Sequence, residues 1–358
     1  MSSTLQAPAA GQPAKPAAAS QPRKKLIRRL APDRSQRVRQ TVQGLFFALN
    51  VWIGIEFYLF VRYFETAGQG PRIARPPGVE GWLPIASLMN LKALVLTGEL
   101  PPHHAAGLFL LLAFLTISLL FRKSFCGWLC PVGTVSELLW KAGRSTFGRN
   151  WKLPKWLDLP LRSLKYILMG LFLYAVGTMS AMAIRAFLDG PYGVIADVKM
   201  LNFFRYLGVA GAITVGVLLL LSIFIQNFWC RYLCPYGALL GLVGAFSPVR
   251  IRRRAETCID CAKCAQACPA LIPVDQLTAV RTPECTGCYE CVTVCPADGA
   301  LEMKAGRRRL PAWALAAGVA LVFFGFVGYA QLTGNWHTGI PDATYFNLIP
   351  QSRDFGHP

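Results

Sequence analysis

Long apolar runs alternate with basic polar segments along this chain of 358 residues. A run of about 20 apolar residues is long enough to cross a bilayer as a helix. Five runs meet or approach that length, at 42–63, 105–121, 164–184, 206–228 and 311–330. A sixth stretch, 82–98, is shorter and mixed, which favours an interfacial or re-entrant helix. The pattern predicts an all-α integral membrane protein with about five transmembrane helices, arranged as two related hairpins plus one.

The basic residues are distributed unevenly between the predicted loops. The chain has 37 Lys and Arg against 18 Asp and Glu, but they flank the apolar runs instead of forming one stripe, so we expect no nucleic-acid partner. With the N-terminus inside, the inner segments 1–40, 122–163 and 229–310 hold 28 Lys and Arg and the outer segments hold 7. This bias predicts a multi-pass protein of the bacterial inner membrane, with its N-terminus in the cytoplasm and its C-terminus in the periplasm.

The cysteines carry the clearest chemical signal. All 12 fall in the predicted inner segments, where a reducing environment favours metal ligation over disulfides. Residues 258–269 read CIDCAKCAQACP and residues 285–296 read CTGCYECVTVCP, two copies of C-x2-C-x2-C-x3-C-P. In this motif three cysteines hold one cluster and the fourth reaches the neighbouring cluster. The repeat therefore predicts two [4Fe–4S] clusters, one held by Cys258, Cys261, Cys264 and Cys295 and the other by Cys285, Cys288, Cys291 and Cys268.

A second repeat has a different spacing. CGWLCPVG (126–133) and CRYLCPYG (230–237) each place a C-x3-C pair at the inner end of a predicted span. A proline is well suited to the first position of a helix, so each pair is predicted to straddle a bend before a short helix, at 131–143 and 235–246. Repeats of this kind place functional sites between their halves. We therefore expect a redox or metal site formed by Cys126, Cys130, Cys230 and Cys234. The site could be a further iron–sulfur cluster, another soft metal or a set of redox-active thiols, and these alternatives stay open.

Other candidate residues carry weaker signals. Glu56 is a carboxylate inside the first predicted span, where such groups are costly, so it is a candidate proton relay or quinol-site residue. His103 and His104 precede the second span at the outer face, where they are candidates for quinol deprotonation, although an exposed loop is the expected structure there. Asp189 and Asp197 are interpreted as turn and cap residues.

The quoted cysteine motifs resemble those of a known family. FCGWLCPVG, WCRYLCPYGAL and the paired C-x2-C-x2-C-x3-C-P motifs are similar to those of the polyferredoxin-type membrane proteins, over most of residues 40–300. That family includes the quinol dehydrogenase membrane component NapH, the membrane half of the regulator NosR and electron-transport proteins of the YccM type. The resemblance implies an electron carrier, or a subunit of a quinol dehydrogenase, that exchanges electrons with the quinone pool and a periplasmic flavin, haem or iron–sulfur partner.

These observations together predict the domain organisation. The expected parts are a disordered basic N-terminus (1–39, with 1–22 rich in Ala, Pro, Ser and Gln), a four-helix membrane domain (40–255), a cytoplasmic ferredoxin-like module (256–304), a fifth transmembrane helix (305–331) and a periplasmic tail (332–358).

Electron transfer is the predicted function. The protein is expected to pass electrons between the quinone pool, or a cytoplasmic donor, and a periplasmic redox partner. Two alternatives stay open at this point, namely metal-ion reduction for metalloenzyme assembly and redox sensing in the membrane.

Overall fold

The computed structural model describes residues 27–29, 33–100 and 102–356, and the predicted disordered stretch 1–22 lies outside them. The described chain is mostly helical. The helices are α1 (Ser35–Glu65), α2 (Pro84–Thr97), α3 (Ala105–Phe121), α4 (Ser124–Trp128), α5 (Pro131–Phe147), α6 (Lys155–Thr178), α7 (Ala181–Asp189), α8 (Pro191–Val194), α9 (Ala196–Arg205), α10 (Val209–Phe224), α11 (Pro235–Ala245), α12 (Lys263–Gln266), α13 (Glu290–Thr293), α14 (Ala312–Leu332) and α15 (Asp342–Leu348). The strands are β1 (Val249–Arg253), β2 (Leu301–Ala305) and β3 (Arg308–Arg309).

About three helices are candidates for crossing a membrane, fewer than the five that the apolar runs predict. In the described part of the chain, α1, α6 and α14 are long and apolar enough, and α9 with α10 makes a fourth candidate that is bent by 83° at its break. α3 has only 17 residues and most of its side chains are buried inside the protein. The count of five is therefore not confirmed, because an apolar run of this length is equally typical of a helix buried among other helices.

The two short helices that follow the C-x3-C pairs, α5 and α11, each pack against a helix of the other half of the chain, which is called the exchange of α5 and α11 below. The predictions that Pro131 and Pro235 begin helices are confirmed by α5 and α11. α5 packs against α10, the long helix of the second half, whereas α11 packs against α3 of the first half and also against α6. α1 packs mainly against α14 rather than α3. The main helix contacts thus differ from two simple hairpins, and the exchange brings both C-x3-C pairs to the same end of the bundle.

A small sheet module lies at that end. β1 pairs antiparallel with β2 in the register Val249↔Ala305 to Arg253↔Leu301, and β2 pairs with the short β3. α12 and α13 lie in the chain between β1 and β2, and they pack against each other. β1 precedes residue 256, where the module was expected to begin, so the sheet includes residues from 249 onward.

The opposite end of the bundle is held by a buried ionic cluster, which corrects two expectations. The Arg75 guanidinium donates to Glu80 at 2.7 Å and to Asp197 at 2.8 Å. His104 is buried rather than exposed, with its Nδ1 3.6 Å from a Glu80 oxygen. Burial alone would raise the pKa of Glu80, but Arg75 and His104 lower it to about 2. Asp197 is therefore an ion-pair partner and not merely a cap, because α9 presents it to an arginine more than a hundred residues away.

The C-terminal segment packs on the same bundle. α15 lies against the last turns of α1, where the Tyr345 ring meets Phe60 edge-on with the ring centroids 5.2 Å apart. Thr338 Oγ1 donates to Glu80 at 3.0 Å and links this segment to the ionic cluster.

Candidate metal centres

Two small pockets in the sheet module are each lined by four cysteines. The pocket beside α12 contains the first predicted set, Cys258, Cys261, Cys264 and Cys295. The pocket beside α13 contains the second predicted set, Cys268, Cys285, Cys288 and Cys291. In both pockets the fourth cysteine comes from the other motif, as cross-ligation requires.

The backbone repeats together with the cysteines. Asp260 and Gly287, each just before the second cysteine of its motif, have φ angles of 53° and 62°. Ala262 and Tyr289, each just after that cysteine, have φ angles of 54° and 61°. Left-handed backbone is unfavourable for residues other than glycine, so its recurrence at equivalent positions indicates that both loops are bent around a common kind of ligand.

The two pockets differ in their exposure to solvent. Cys261 of the first set is exposed, whereas Cys268, Cys285 and Cys291 of the second set are buried. Burial raises the pKa of the Cys268 thiol to about 12 and that of Cys264 to about 11. Such thiols ionise readily only when a metal compensates the thiolate charge, which fits iron–sulfur ligation.

The four cysteines of the C-x3-C pairs come together at one site. Cys126 lies in α4 and Cys130 immediately precedes α5, while Cys230 lies in a π-helical turn (Trp229–Leu233) and Cys234 immediately precedes α11. All four line one cavity. Burial, and then the charges of the other three cysteines, raise the pKa of Cys130 well above its ordinary value. The exchange of α5 and α11 is what unites two pairs that are about a hundred residues apart in the chain.

The first of the two glycines that follow the C-x3-C-P segments has a steric reason that the sequence did not reveal. A Cβ at Gly133 would lie 2.4 Å from the Cys126 carbonyl oxygen, so only glycine allows α5 to start against α4. A Cβ at Gly237 would lie 3.4 Å from both Cys234 Sγ and Lys123 Nζ, which is ordinary van der Waals contact, so the second glycine is not required in the same way. The repeated Pro-x-Gly was the available signal, but it corresponds to a close approach only at Gly133.

The four-cysteine site opens into a cavity of about 800 Å³ that is lined largely by apolar side chains. The cavity runs beside α3, from Cys126 past Phe114 and Leu110 to the loop that contains Arg75. Glu56 of α1 also lines it, so the structure brings this sequence candidate into the same cavity as the four cysteines. The cavity has the size of a pocket for a drug-sized or cofactor-sized ligand, for which about 300–1,000 Å³ is typical.

A smaller pocket lies between the four cysteines and the module, and it is lined by Cys126 and Cys230 on one side and Cys288 on the other. The surrounding contacts are tight. Trp128 Nε1 donates to the Gly287 carbonyl at 3.1 Å, and Gln36 Nε2 donates to the Cys288 carbonyl at 2.8 Å. The second cysteine set of the module is therefore the one next to the membrane domain.

No three His, Cys, Asp or Glu in the described ranges are close enough to bind one metal ion in common. A [4Fe–4S] cluster has a different requirement, since each of its four cysteines binds a different iron and the sulfurs surround the cluster instead of meeting at a point. The two cysteine-lined pockets of the module fit that arrangement. His103, a weaker candidate, lines none of these pockets, and its Nε2 lies 3.7 Å from an Asp189 oxygen.

Comparison with known proteins agrees with this chemistry. A 4Fe-4S binding domain family matches residues 104–154 and 207–254, the two segments that contain the C-x3-C pairs. A 4Fe-4S dicluster domain family matches residues 252–303, the sheet module. No solved structure matches the chain.

Full-length similarity defines the family. Cysteine-lined pockets in a helical chain with candidate membrane spans define the class as iron–sulfur electron-transport proteins associated with the membrane. The chain is 51% identical over 326 residues to the electron transport protein YccM of Escherichia coli (strain K12), covering 89% of this chain and 91% of that protein. It belongs to this YccM-containing, polyferredoxin-type family.

More distant relatives share part of the chain. The regulatory protein NosR of Stutzerimonas stutzeri is 33% identical over 165 residues, which are 45% of this chain and 22% of NosR. The methylamine utilization ferredoxin-type protein MauN of Methylorubrum extorquens is 29% identical over 196 residues, 52% of this chain and 61% of MauN.

Proposed function

We propose that this protein passes electrons between a quinone in its apolar cavity and a soluble redox partner at its sheet module. The observation that carries the proposal is the location of the four C-x3-C cysteines. All four line the cavity, and two of them, Cys126 and Cys230, also line the pocket next to Cys288. Bound iron–sulfur clusters supply one-electron exchange at the cysteine sites. The apolar cavity holds the quinone at one end of these sites, and the sheet module binds the soluble partner at the other end.

Each cysteine set receives a proposed ligand role. Two [4Fe–4S] clusters are held by the sets that line the two module pockets, Cys258, Cys261, Cys264 and Cys295, and Cys268, Cys285, Cys288 and Cys291. A third iron–sulfur centre is held by Cys126, Cys130, Cys230 and Cys234. The match of a 4Fe-4S binding family to both C-x3-C segments supports the third centre.

The cavity suits a quinone because it is apolar and because its wall includes exposed side chains of candidate spans. Trp52 of α1 is 62% exposed and Phe324 of α14 is 58% exposed, and both line the cavity. In a bilayer these side chains face lipid, so a lipid-soluble ligand reaches the cavity from the membrane. Oxidation of a quinol breaks two O–H bonds and releases two electrons and two protons, and we assign Glu56 as an acceptor of a proton.

Orientation and partners complete the proposal. The excess of Lys and Arg in the segments that carry the cysteines supports an inner-membrane protein with its clusters in the cytoplasm and its C-terminus in the periplasm. An acidic cytoplasmic redox protein fits the module, where Arg254 and Arg309 are exposed.

The test uses anaerobically purified protein in detergent and a short-chain quinol. The variant replaces Cys126, Cys130, Cys230 and Cys234 together with Ser. We expect the wild type to contain more iron than the eight atoms of two [4Fe–4S] clusters, and the variant to fall to that value. We also expect the variant's module clusters to be reduced by dithionite but no longer by quinol.

Two results would contradict the proposal. An iron content that is the same in the variant and the wild type removes the third centre. Equal rates of cluster reduction by quinol in both proteins show that electrons do not pass the four-cysteine site. Dithionite reduction is the control, because it reports intact module clusters independently of the quinol.

A further inference from the structure

Lys123 carries an unpartnered positive charge at the four-cysteine site. It follows α3, and only 5% of its surface is exposed. In the part of the chain that the structure describes, its ammonium makes no direct hydrogen bond or ion pair, in contrast to that of Lys165, which pairs with Glu284 at 2.6 Å. It lines the apolar cavity and also the pocket next to Cys288. A buried ammonium without an anion is costly, so this position requires a negative charge beside it.

The surroundings identify which groups can balance this charge. The ionisable groups near Lys123 are the thiols of Cys126, Cys234 and Cys230, which line the same cavity, and the carboxylate of Glu284, which lines the pocket next to Cys288. Glu284 is already engaged, since it accepts from Lys165 Nζ at 2.6 and 2.7 Å and from Tyr166. Glu284 also acts on Lys123 but makes no direct ion pair with it, and its charge is shared with Lys165. The cysteines, once they hold a metal, are therefore the further negative groups beside Lys123.

The ammonium also lies close to one of the sulfurs. A Cβ built on Gly237 would be 3.4 Å from Lys123 Nζ and 3.4 Å from Cys234 Sγ, so both groups border the same point in space. The lysine belongs to the first half of the chain and the glycine to the second. The exchange of α5 and α11 therefore brings the charge and the sulfur ligands to the same site.

We propose that Lys123 is the counter-cation of an anionic iron–sulfur centre held by Cys126, Cys130, Cys230 and Cys234, and that it raises the reduction potential of this centre. The inference rests on the third centre of the proposed function. Four thiolates carry more negative charge than an iron–sulfur core carries positive charge, and reduction adds one more electron. A fixed cation nearby stabilises the reduced form more than the oxidised form, so its charge shifts the equilibrium towards reduction.

The experiment is an EPR-monitored redox titration of the full-length protein in detergent. Lys123→Met keeps an unbranched apolar side chain of similar length and removes the charge, whereas Lys123→Arg keeps the charge. We expect Lys123→Met to shift the one-electron equilibrium of the third centre at least tenfold towards oxidation, which is about 59 mV. Lys123→Arg should stay near the wild-type value, and the module clusters should not shift in either variant.

Lys92→Met is the matched control. Lys92 Nζ donates to backbone carbonyls at the C-terminal end of α6, among them Gly177 at 2.6 Å, and it is not among the residues that line either pocket. Its replacement should leave the potential of the third centre unchanged.

The outcomes separate the inference from the function on which it rests. If the wild type has no third centre by iron content and EPR, the proposed function fails first. If the centre is present and Lys123→Met does not change its potential, the counter-cation role is wrong while the centre stands. A Lys123→Met variant that loses only quinol oxidation, with the potential unchanged, assigns Lys123 to the cavity ligand and overturns the inference. If Lys123→Met does not fold, a Lys123→Arg potential far from the wild-type value contradicts the role of charge.

Discussion

At the scale of single residues, buried charges hold the membrane domain and the module together. Arg39 of α1 is 1% exposed and forms a bidentate pair with Glu137 of α5, at 2.6 and 2.7 Å. The same guanidinium donates to Glu290 of α13 at 3.0 Å. Burial opposes the charge of Glu137, but Arg39 and then Lys141 lower its pKa to about 2. One arginine therefore joins the helix that follows Cys130 to the loop that carries Cys288 and Cys291.

Replacing Arg39 tests this junction. Arg39→Met leaves the Glu137 and Glu290 carboxylates without their main partner, and breaking a buried pair in this way costs about 3–5 kcal/mol. We expect a lower unfolding temperature in detergent and loss of iron from the set that contains Cys288. Arg37→Met, on an exposed position of the same helix, is the matched control and should behave like the wild type.

The pH dependence has a defined sign. The folded pKa of Glu137, about 2, lies below the ordinary value of about 4.3 for a glutamate. Its stabilising contribution is therefore present above about pH 4.3 and is lost as the pH falls towards 2. The difference in unfolding temperature between wild type and Arg39→Met should shrink over that interval, and a difference that stays constant would contradict the assignment.

At the scale of helices, close backbone contact makes the exchange of α5 and α11 possible. A Cβ at Gly143 of α5 would lie 2.0 Å from the Ile223 carbonyl oxygen of α10, so the two helices cross with no room for a side chain. Small residues permit such approaches between helices in membranes. The crossing fixes the position of α5 and, through it, of Cys130.

Gly143→Ala tests the crossing. We expect a loss of about 1–3 kcal/mol in stability, because the helices must separate to accept the methyl group. The iron content should fall as well, because the four-cysteine centre is lost. Iron content and unfolding temperature are measured on the same samples. Gly170→Ala in α6 is the control, since nothing lies within 4 Å of its added Cβ, and it should not lower stability. Equal behaviour of the two variants would show that the α5–α10 contact does not position the site.

The sequence predicted where helices begin better than it predicted whether a helix faces lipid or is buried in the protein. The prolines after Cys130 and Cys234 predicted α5 and α11 correctly, because the preference of proline for the first helical turn is local. The role of α3 was not predictable from its apolar run, because an apolar helix faces lipid or protein equally well. The pairing of Arg75 with Asp197 was also out of reach, since the two residues meet only through the tertiary fold.

At the scale of the whole molecule, the sites follow one another from the exposed part of the sheet module to the cavity between the helices. The module pocket with the exposed Cys261 is outermost, and the pocket with the buried Cys285 and Cys291 is next. Trp128 and Gln36 connect the second pocket to the bundle, where the four C-x3-C cysteines face the cavity. The two ferredoxin motifs predicted the sets that line the first two pockets, whereas this order depends on helix packing that no motif encodes.

The order of the sites predicts that two variants lose opposite halves of the activity. Cys258→Ser disrupts the outermost set, so electron exchange with an acidic soluble ferredoxin should be lost while quinol still reduces the remaining clusters. The quadruple Ser variant at Cys126, Cys130, Cys230 and Cys234 should do the reverse, keeping exchange with the ferredoxin and losing the reaction with quinol. Stopped-flow absorbance with each reactant separately measures both reactions.

In the wild type the ferredoxin reaction should slow as salt increases, because exposed arginines such as Arg254 and Arg309 attract the acidic partner. If Cys258→Ser exchanged electrons with the ferredoxin as fast as the wild type, the partner would enter elsewhere and the proposed order from solvent to membrane would be wrong.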